Sequence, residues 1–287
     1  MCLTMDERVM RAPTLTIFAN FRINDEERFI RMKDSFRSFC EIPAQKWIIN
    51  VRGIHKLNTI FFLREHLGEK MSAHILESGK GWFYDSRQLI REINTDFVLF
   101  WIEDHINLKD TVIYTKIIEE MAESGSEYLN YSWWFLGYSR KFYEGIAKKE
   151  YNYVNTFELN KTNVQGLNMF GRSPFIISLT SIFSRNLFLK IMAKNDPKLR
   201  RWPKETPFDF EKNAKDLHWL PIKMSIPKEE LFACIDDDNG IAGYSLQSRG
   251  LYPKRGIRTE PQPNKNLFIR AIPTTLKVFL KRLSYHI

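Results

Sequence analysis

Apolar and polar positions alternate along the first half of the chain in two periods, one of about two residues and one near 3.6. Leu15 to Phe21 reads as a first strand. Asn24, with Glu27 three residues on, has the spacing of a capping box and opens a helix that buries Phe29, Met32, Phe36 and Phe39. Lys46 to Val51 predicts a second strand, with Arg52-Gly53 as the turn after it. Ile60, Phe61, Leu63 and Leu67 fall at helical spacing before Gly68, a stop signal. Ala73 to Leu76 makes a short third strand, and Phe83 to Ile93 a third helix.

The next segment carries most of the information. Phe97 to Ile102 is an unbroken run of large apolar residues, and it ends in Glu103-Asp104-His105. Such a run suits a strand covered on both faces. In open α/β sheets, ligands bind beyond the carboxyl ends of the strands. The polar triplet is thus delivered to a ligand, although a strand end turning into solvent would place polar residues there too.

Val112, Ile113, Ile117, Ile118 and Met121 then form one helix face, and Glu127 to Phe135 predicts a fifth strand. The repeated strand–helix order argues for an α/β fold, a mostly parallel sheet flanked by helices. Beyond about residue 136 the pattern loosens. Phe175 to Leu179 is a strand candidate, and Ser184 opens a helix with Leu187, Phe188, Ile191 and Met192. Asp236 to Gly240 is a turn, since it lacks the alternating acids and closing Glu of a calcium loop.

Composition narrows the classes. The 287-residue chain is 44% hydrophobic and 27% charged, ordinary for a globular protein. Its net charge of +9 favours anionic partners. Three cysteines without repeated spacing argue against a disulfide framework and for a reducing compartment. No apolar signal core or membrane-length stretch is present, so the expected location is cytoplasmic, or peripheral on the inner face of a membrane. There Leu276, Phe279, Leu280, Leu283 and Ile287, beside Lys277, Lys281 and Arg282, would lie on an anionic surface. The same helix packed on the domain is an equal alternative. No nucleic-acid-binding motif is present and the basic residues are dispersed, so no nucleic acid is expected as partner.

Several short segments, in order over roughly residues 14–215, resemble the nucleotide-sugar glycosyltransferases of GT-A fold, in particular the inverting family 2. Ala19-Asn20-Phe21-Arg22 is similar to that family's opening motif. Asp85-Ser86-Arg87, with Leu89 and Ile90, resembles the helix before its acidic strand end, and Glu103-Asp104-His105 sits where the family has Asp-x-Asp. Ile182 to Phe188 resembles the apolar-Arg-aromatic phrase ahead of the acceptor-side acid. Two positions depart from the pattern. His105 stands where the family ends its motif in a carboxylate, and the second strand offers Asn50, Arg52 and His55 where an acid usually holds the nucleoside.

The resemblance implies a GT-A, Rossmann-like domain over residues 1–250, with a nucleotide half at 14–136 and an acceptor half at 137–250, followed by a basic extension at 251–287. It implies transfer of a sugar, from a UDP-sugar by preference, to a glycan or lipid-linked acceptor in surface polysaccharide synthesis. Asn20, Arg22, Asn50, Arg52, Asp85, Arg87, Glu103 and Asp104 would then hold the donor. Mn2+ or Mg2+ would sit on Asp104 and His105, and Asp209 or Glu211 would act as base on the acceptor hydroxyl. Strand alternation puts Glu103 and His105 on one face and Asp104 on the other, so Asp104 joins a metal only if the chain bends there. Two other classes fit the same residues: a catalytically silent binding or scaffold subunit, and a metal-dependent nucleotidyltransferase.

Overall fold

The computed structural model describes residues 11–129, 146, 148–169, 180–193, 220–236 and 244–253, with backbone only at 166–169. The chain divides into a unit of residues 1–252 and a second unit of 253–287, of which Pro253 alone is described. The basic C-terminal helix expected from Leu276 to Ile287 lies outside the described residues.

The first unit opens with β1 (Leu15–Arg22), α1 (Glu26–Phe39), β2 (Lys46–Arg52), α2 (Lys56–Leu67), β3 (Met71–His74), α3 (Trp82–Leu89) and β4 (Phe97–Phe100). β1 pairs in parallel with β2 and with β4, and β2 pairs in parallel with β3. This half of the sheet runs β3-β2-β1-β4 and is the helix-flanked, Rossmann-like arrangement expected of the GT-A type. Successive crossovers move outward from β1 to β3, and the chain then returns to the other side of β1. The crevice at the carboxyl ends of β1 and β4 is therefore a topological switch point, the place where such sheets bind ligands.

Beyond β4 the sheet continues with β9 (Ser181–Ser184), β6 (Tyr128–Leu129), β10 (Ile222–Pro227), β8 (Val154–Leu159) and β7 (Lys149–Glu150). β9 lies antiparallel between β4 and β6, so the sheet is parallel in the half that carries the acidic triplet and mixed beyond it. The helices α4 (Ile113–Ser124), α5 (Lys161–Met169) and α6 (Arg185–Ala193) follow, with a separate ribbon of β5 (His105–Asn107) and β11 (Phe232–Cys234). The strand expected at Phe175–Leu179 lies outside the described residues, and that expected over 127–135 is described only to Leu129.

Two apolar layers cover the sheet. Ile17, Ala19 and Phe21 of β1 join Leu99 and Trp101 in one layer with Met32, Phe36 and Phe39 of α1. Phe18, Val98 and Phe100 join the other, with Phe83 and Leu89 of α3 and Phe188 of α6. Every residue of β4 is buried because both of its faces are covered, which explains the unbroken apolar run. Asp25 rather than Asn24 caps α1, accepting the Arg28 amide at 2.8 Å. Asn24 instead approaches the turn at Gly53: a Cβ there would lie 2.4 Å from the Ile23 oxygen and 2.5 Å from Asn24 Oδ1. With φ at +94°, only glycine fits that turn without strain.

Candidate functional site

The acidic triplet does not continue β4. The strand stops at Phe100; Trp101 adds one more rung by donating its amide to the Phe18 oxygen at 2.9 Å. Trp101 is then fixed from every side. Its ring meets Phe21 and Trp47 edge-on, with centroids 5.3 and 5.6 Å apart, and its indole N–H donates to Ser35 Oγ at 2.8 Å. Ser35, on α1, in turn donates to the His105 carbonyl at 2.5 Å. Glu103 and Asp104 form the turn between, and His105 starts β5. The chain therefore bends between Ile102 and His105. The strand alternation expected through the triplet is broken, and its three side chains are divided differently.

Asp104 and His105 come together: His105 Nδ1 lies 2.7 Å from Asp104 Oδ1. Glu103 is buried, with Arg28 Nη1 3.7 Å from its Oε1. Burial, reinforced by the charge of Asp104, raises the Glu103 carboxyl to about 7, against the opposing charges of Arg28 and Arg52. Asp104 shifts the other way. Desolvation alone would raise it, but the His105 hydrogen bond and charge, with Arg28, hold it below the usual carboxylate range. The two carboxyl groups thus divide the labour at neutral pH, one readily protonated and one ionised.

Cations surround the neighbouring strand ends. Arg22 closes β1 and Arg52 closes β2, directly opposite each other in the parallel register. Arg22 pairs with Glu77 in the loop after β3. Burial lowers the basicity of Arg52 and the charge of Arg22 lowers it further, against Asp85, Glu77 and Glu103. Among the described residues the buried Arg52 Nε has no hydrogen-bond partner. A half-buried guanidinium with an unsatisfied N–H, pressed by a second cation, is suited to an anion that reaches it from outside.

Asn20 and Asn50 stand in the same two strands, two residues before these cations, and their amides are spent inside the protein. Asn50 Nδ2 donates to Asn20 Oδ1 at 3.0 Å and to the Leu76 oxygen at 2.8 Å, while its Oδ1 accepts the Leu76 amide at 2.6 Å. Asn20 Nδ2 donates to Ser86 Oγ at 2.8 Å and to the Trp82 oxygen at 3.2 Å. Together they tie β1, β2, the loop after β3 and the start of α3 into one frame. Asp85 belongs to that frame, since its Oδ1 accepts the Ser78 hydroxyl at 2.5 Å and the Ser78 amide at 3.3 Å. Arg87, two residues further along α3, is part-buried. Asp209 and Glu211 lie outside the described residues.

Three contributors are visible only in the fold. Arg28 reaches the turn from α1, where the sequence shows no more than a helix charge. Glu77 is supplied by the loop after β3. Cys234 arrives from β11, paired opposite His105. Ligand atoms of Asp104, His105 and Cys234 all lie within 4.8 Å of one another. Oxygen, nitrogen and sulfur donors in one cluster fit a divalent cation, and one of intermediate softness better than a hard one.

No family model and no curated protein matches the sequence. Among solved structures the chain is similar to TarS of S. aureus, at 14% identity and a TM-score of 0.48, covering 76% of this chain and 36% of that one. TarS 1–349 has been solved with UDP and with UDP-GlcNAc. The chain is also similar to the mannosyltransferase PcManGT of Pyrobaculum calidifontis, solved with GDP-Man and Mn2+: 9% identity, TM-score 0.40, 63% of this chain and 47% of that one. A third is the 4-diphosphocytidyl-2C-methyl-D-erythritolsynthase of Anaerococcus prevotii, at 8% identity and TM-score 0.41, covering 79% and 92%. The chain spans 36–59% of the length of the TarS chains it matches. All three likenesses are of fold alone, and the chemistry has to be read from the site itself.

Proposed function

We propose that the chain is a metal-assisted glycosyltransferase that binds a nucleotide-sugar donor at the carboxyl ends of β1, β2 and β4. One observation carries the proposal: Arg22 and Arg52 stand at adjacent strand ends beside an acidic turn, with a buried Arg52 N–H that no described residue satisfies. A sugar nucleotide brings a diphosphate, which a pair of guanidinium groups recognises by charge and by paired hydrogen bonds. Asp104, ionised and part-exposed, lies in the turn after β4 with the buried His105 ring bonded to it. A cation held there supplies charge neutralisation for the departing diphosphate.

The protein's own residues do the rest. Arg22 and Arg52 orient the diphosphate, and the Asn20–Asn50–Asp85 frame fixes the strand ends that carry them. Arg28 keeps Glu103 folded against the turn. The reading extends to an inverting transfer, with Asp209 or Glu211 as base, toward a glycan or lipid-linked acceptor of a surface polysaccharide. None of the helices among the described residues is long and apolar enough to cross a membrane. Peripheral attachment through the basic C-terminal segment is part of the same proposal.

Thermal stability in the presence of UDP-, GDP-, CMP- and dTDP-sugars, with and without Mn2+ or Zn2+, tests this reading. A donor at a hundred times its Kd stabilises by about 2.7 kcal/mol, which shifts the melting temperature by roughly 5–10 °C for a domain of this size. Stabilisation by one class of sugar nucleotide, with sugar released to water or acceptor, is the expected result. Stabilisation by nucleoside triphosphates and none by sugar nucleotides would favour a nucleotidyltransferase. Stabilisation without turnover of any donor would favour the silent subunit.

A further inference from the structure

We infer that Cys234 completes a metal site with Asp104 and His105, and that this site takes Zn2+ or a similar borderline cation in preference to Mg2+ or Mn2+. The register of the small ribbon brings the groups together. His105 and Cys234 are direct partners in the antiparallel β5–β11 pair. Side chains at directly opposed positions of such a pair stand on the same face. Asp104, one residue earlier, is turned into the same group by the bend, and the three ligand atoms lie within 4.8 Å of each other. Tetrahedral coordination with bonds of roughly 2.0–2.3 Å sets ligand atoms roughly 3.3–3.8 Å apart. Metal uptake would replace the 2.7 Å hydrogen bond between Asp104 Oδ1 and His105 Nδ1, with small side-chain rotations bringing the three groups to those distances.

The surroundings are those of a built site. His105 is 1% exposed and Cys234 6%. The Asp104 side chain is 38% exposed, so one direction stays open. Each ligand's backbone is pinned: Ile235 N donates to the Asp104 oxygen at 2.8 Å, Ser35 Oγ to the His105 oxygen at 2.5 Å, and Leu246 N to the Cys234 oxygen at 2.9 Å. Three protein ligands and an open fourth position are what catalytic, rather than purely structural, zinc sites have.

The donor set decides the ion. Mg2+ and Mn2+ are served by carboxylate, carbonyl and water oxygens. Thiolate with imidazole selects Zn2+, and Co2+ can report on the same site. Uptake displaces the thiol proton of Cys234, so binding releases protons and tightens as pH rises. The inference rests on the proposed donor site in one respect: the open position would be the one the diphosphate takes. It explains the departure of His105 from an all-carboxylate motif as a change of preferred cation.

The full-length protein, stripped with a chelator and titrated with Co2+, should develop a thiolate-to-cobalt charge-transfer band in the near ultraviolet at one equivalent. Cys234→Ser should lose the band, and Cys40→Ser should keep it. Equimolar Zn2+ should displace the cobalt, and a large excess of Mg2+ or Mn2+ should not. X-ray absorption at the zinc edge of the unaltered chain should show one sulfur neighbour at about 2.3 Å; this readout does not depend on how the variant folds. A nitrogen- and oxygen-only shell, or displacement of Zn2+ by Mn2+ at equal concentration, overturns the inference. If sugar nucleotides still stabilise the protein in that case, the transferase reading survives without it. Sulfur ligation with no response to any nucleotide upholds the metal site and counts against the transferase.

Discussion

Arg31→Met is the substitution whose cost can be worked most directly from the structure. The Arg31 guanidinium is buried in α1, and its Nε donates to Glu27 Oε1 at 2.9 Å and its Nη1 to Asp236 Oδ2 at 2.6 Å. Burial would lower its basicity, but the hydrogen bonds and charges of Asp236 and Glu27 outweigh that and raise it. Asp236 lies two residues beyond Cys234, so this contact fastens the end of β11 to α1. Removing one member of a buried ion pair costs about 3–5 kcal/mol, because the remaining charge loses that compensation while staying desolvated. Both carboxylates keep 16% of their side-chain surface in water, so part of that cost is recovered and about 3 kcal/mol is expected. That corresponds to a melting temperature lower by about 6–12 °C. Urea unfolding of Arg31→Met, Asp236→Asn and the double variant measures the coupling, expected at about 2 kcal/mol for contacting residues in one network. A loss below about 0.5 kcal/mol for Arg31→Met would place the pair with solvent-screened surface bridges and refute the reasoning.

Other substitutions probe the frame beneath the site. Asn50→Ala removes three hydrogen bonds and leaves Asn20 and both Leu76 backbone groups without their partner, costing about 3 kcal/mol in denaturant unfolding. Gly53→Ala should cost more than the roughly 1–2 kcal/mol of a left-handed residue, because its Cβ would strike the Ile23 oxygen; donor binding by calorimetry should weaken with it as Arg52 shifts. Glu92 accepts from Lys46 at 2.7 Å and lies 2.8 Å from His74 Nε2. Burial would raise its carboxyl, yet these partners and Ser72 bring it below 4.5. Its contribution is therefore present above that value and lost as pH falls through the lowered one. Glu92→Gln should destabilise by about 1 kcal/mol at pH 7 and progressively less in acid, as followed by thermal melts across pH.

Local pattern was enough for the first half of the fold. The 2- and 3.6-residue periods place β1 to β4 and their helices within a few residues, because each element buries a face that its own sequence displays. The end of β4 was harder to see. Trp101 and Ile102 extend the apolar run, but Ser35 captures the Trp101 indole and the His105 carbonyl and bends the chain there. No spacing within residues 97–105 encodes a hydroxyl supplied from α1. The same holds for the site. Arg22, Arg52 and the acidic triplet were legible as residues that close strands. Cys234 was not, since its relation to His105 is a ladder register between segments about 130 residues apart, and Arg28 reads as an ordinary helix charge.

The central claim is that the guanidinium pair at the ends of β1 and β2 holds a sugar-nucleotide diphosphate. Its most direct test is calorimetric titration of the full-length protein, in the presence of Zn2+, with the sugar nucleotide that stabilises it most. The unaltered chain should bind it at least about tenfold, or 1.4 kcal/mol, more tightly than Arg52→Ala and than the nucleoside alone. A folded protein that binds no sugar nucleotide, or binds one no better than its nucleoside and without regard to Arg52, would contradict the account.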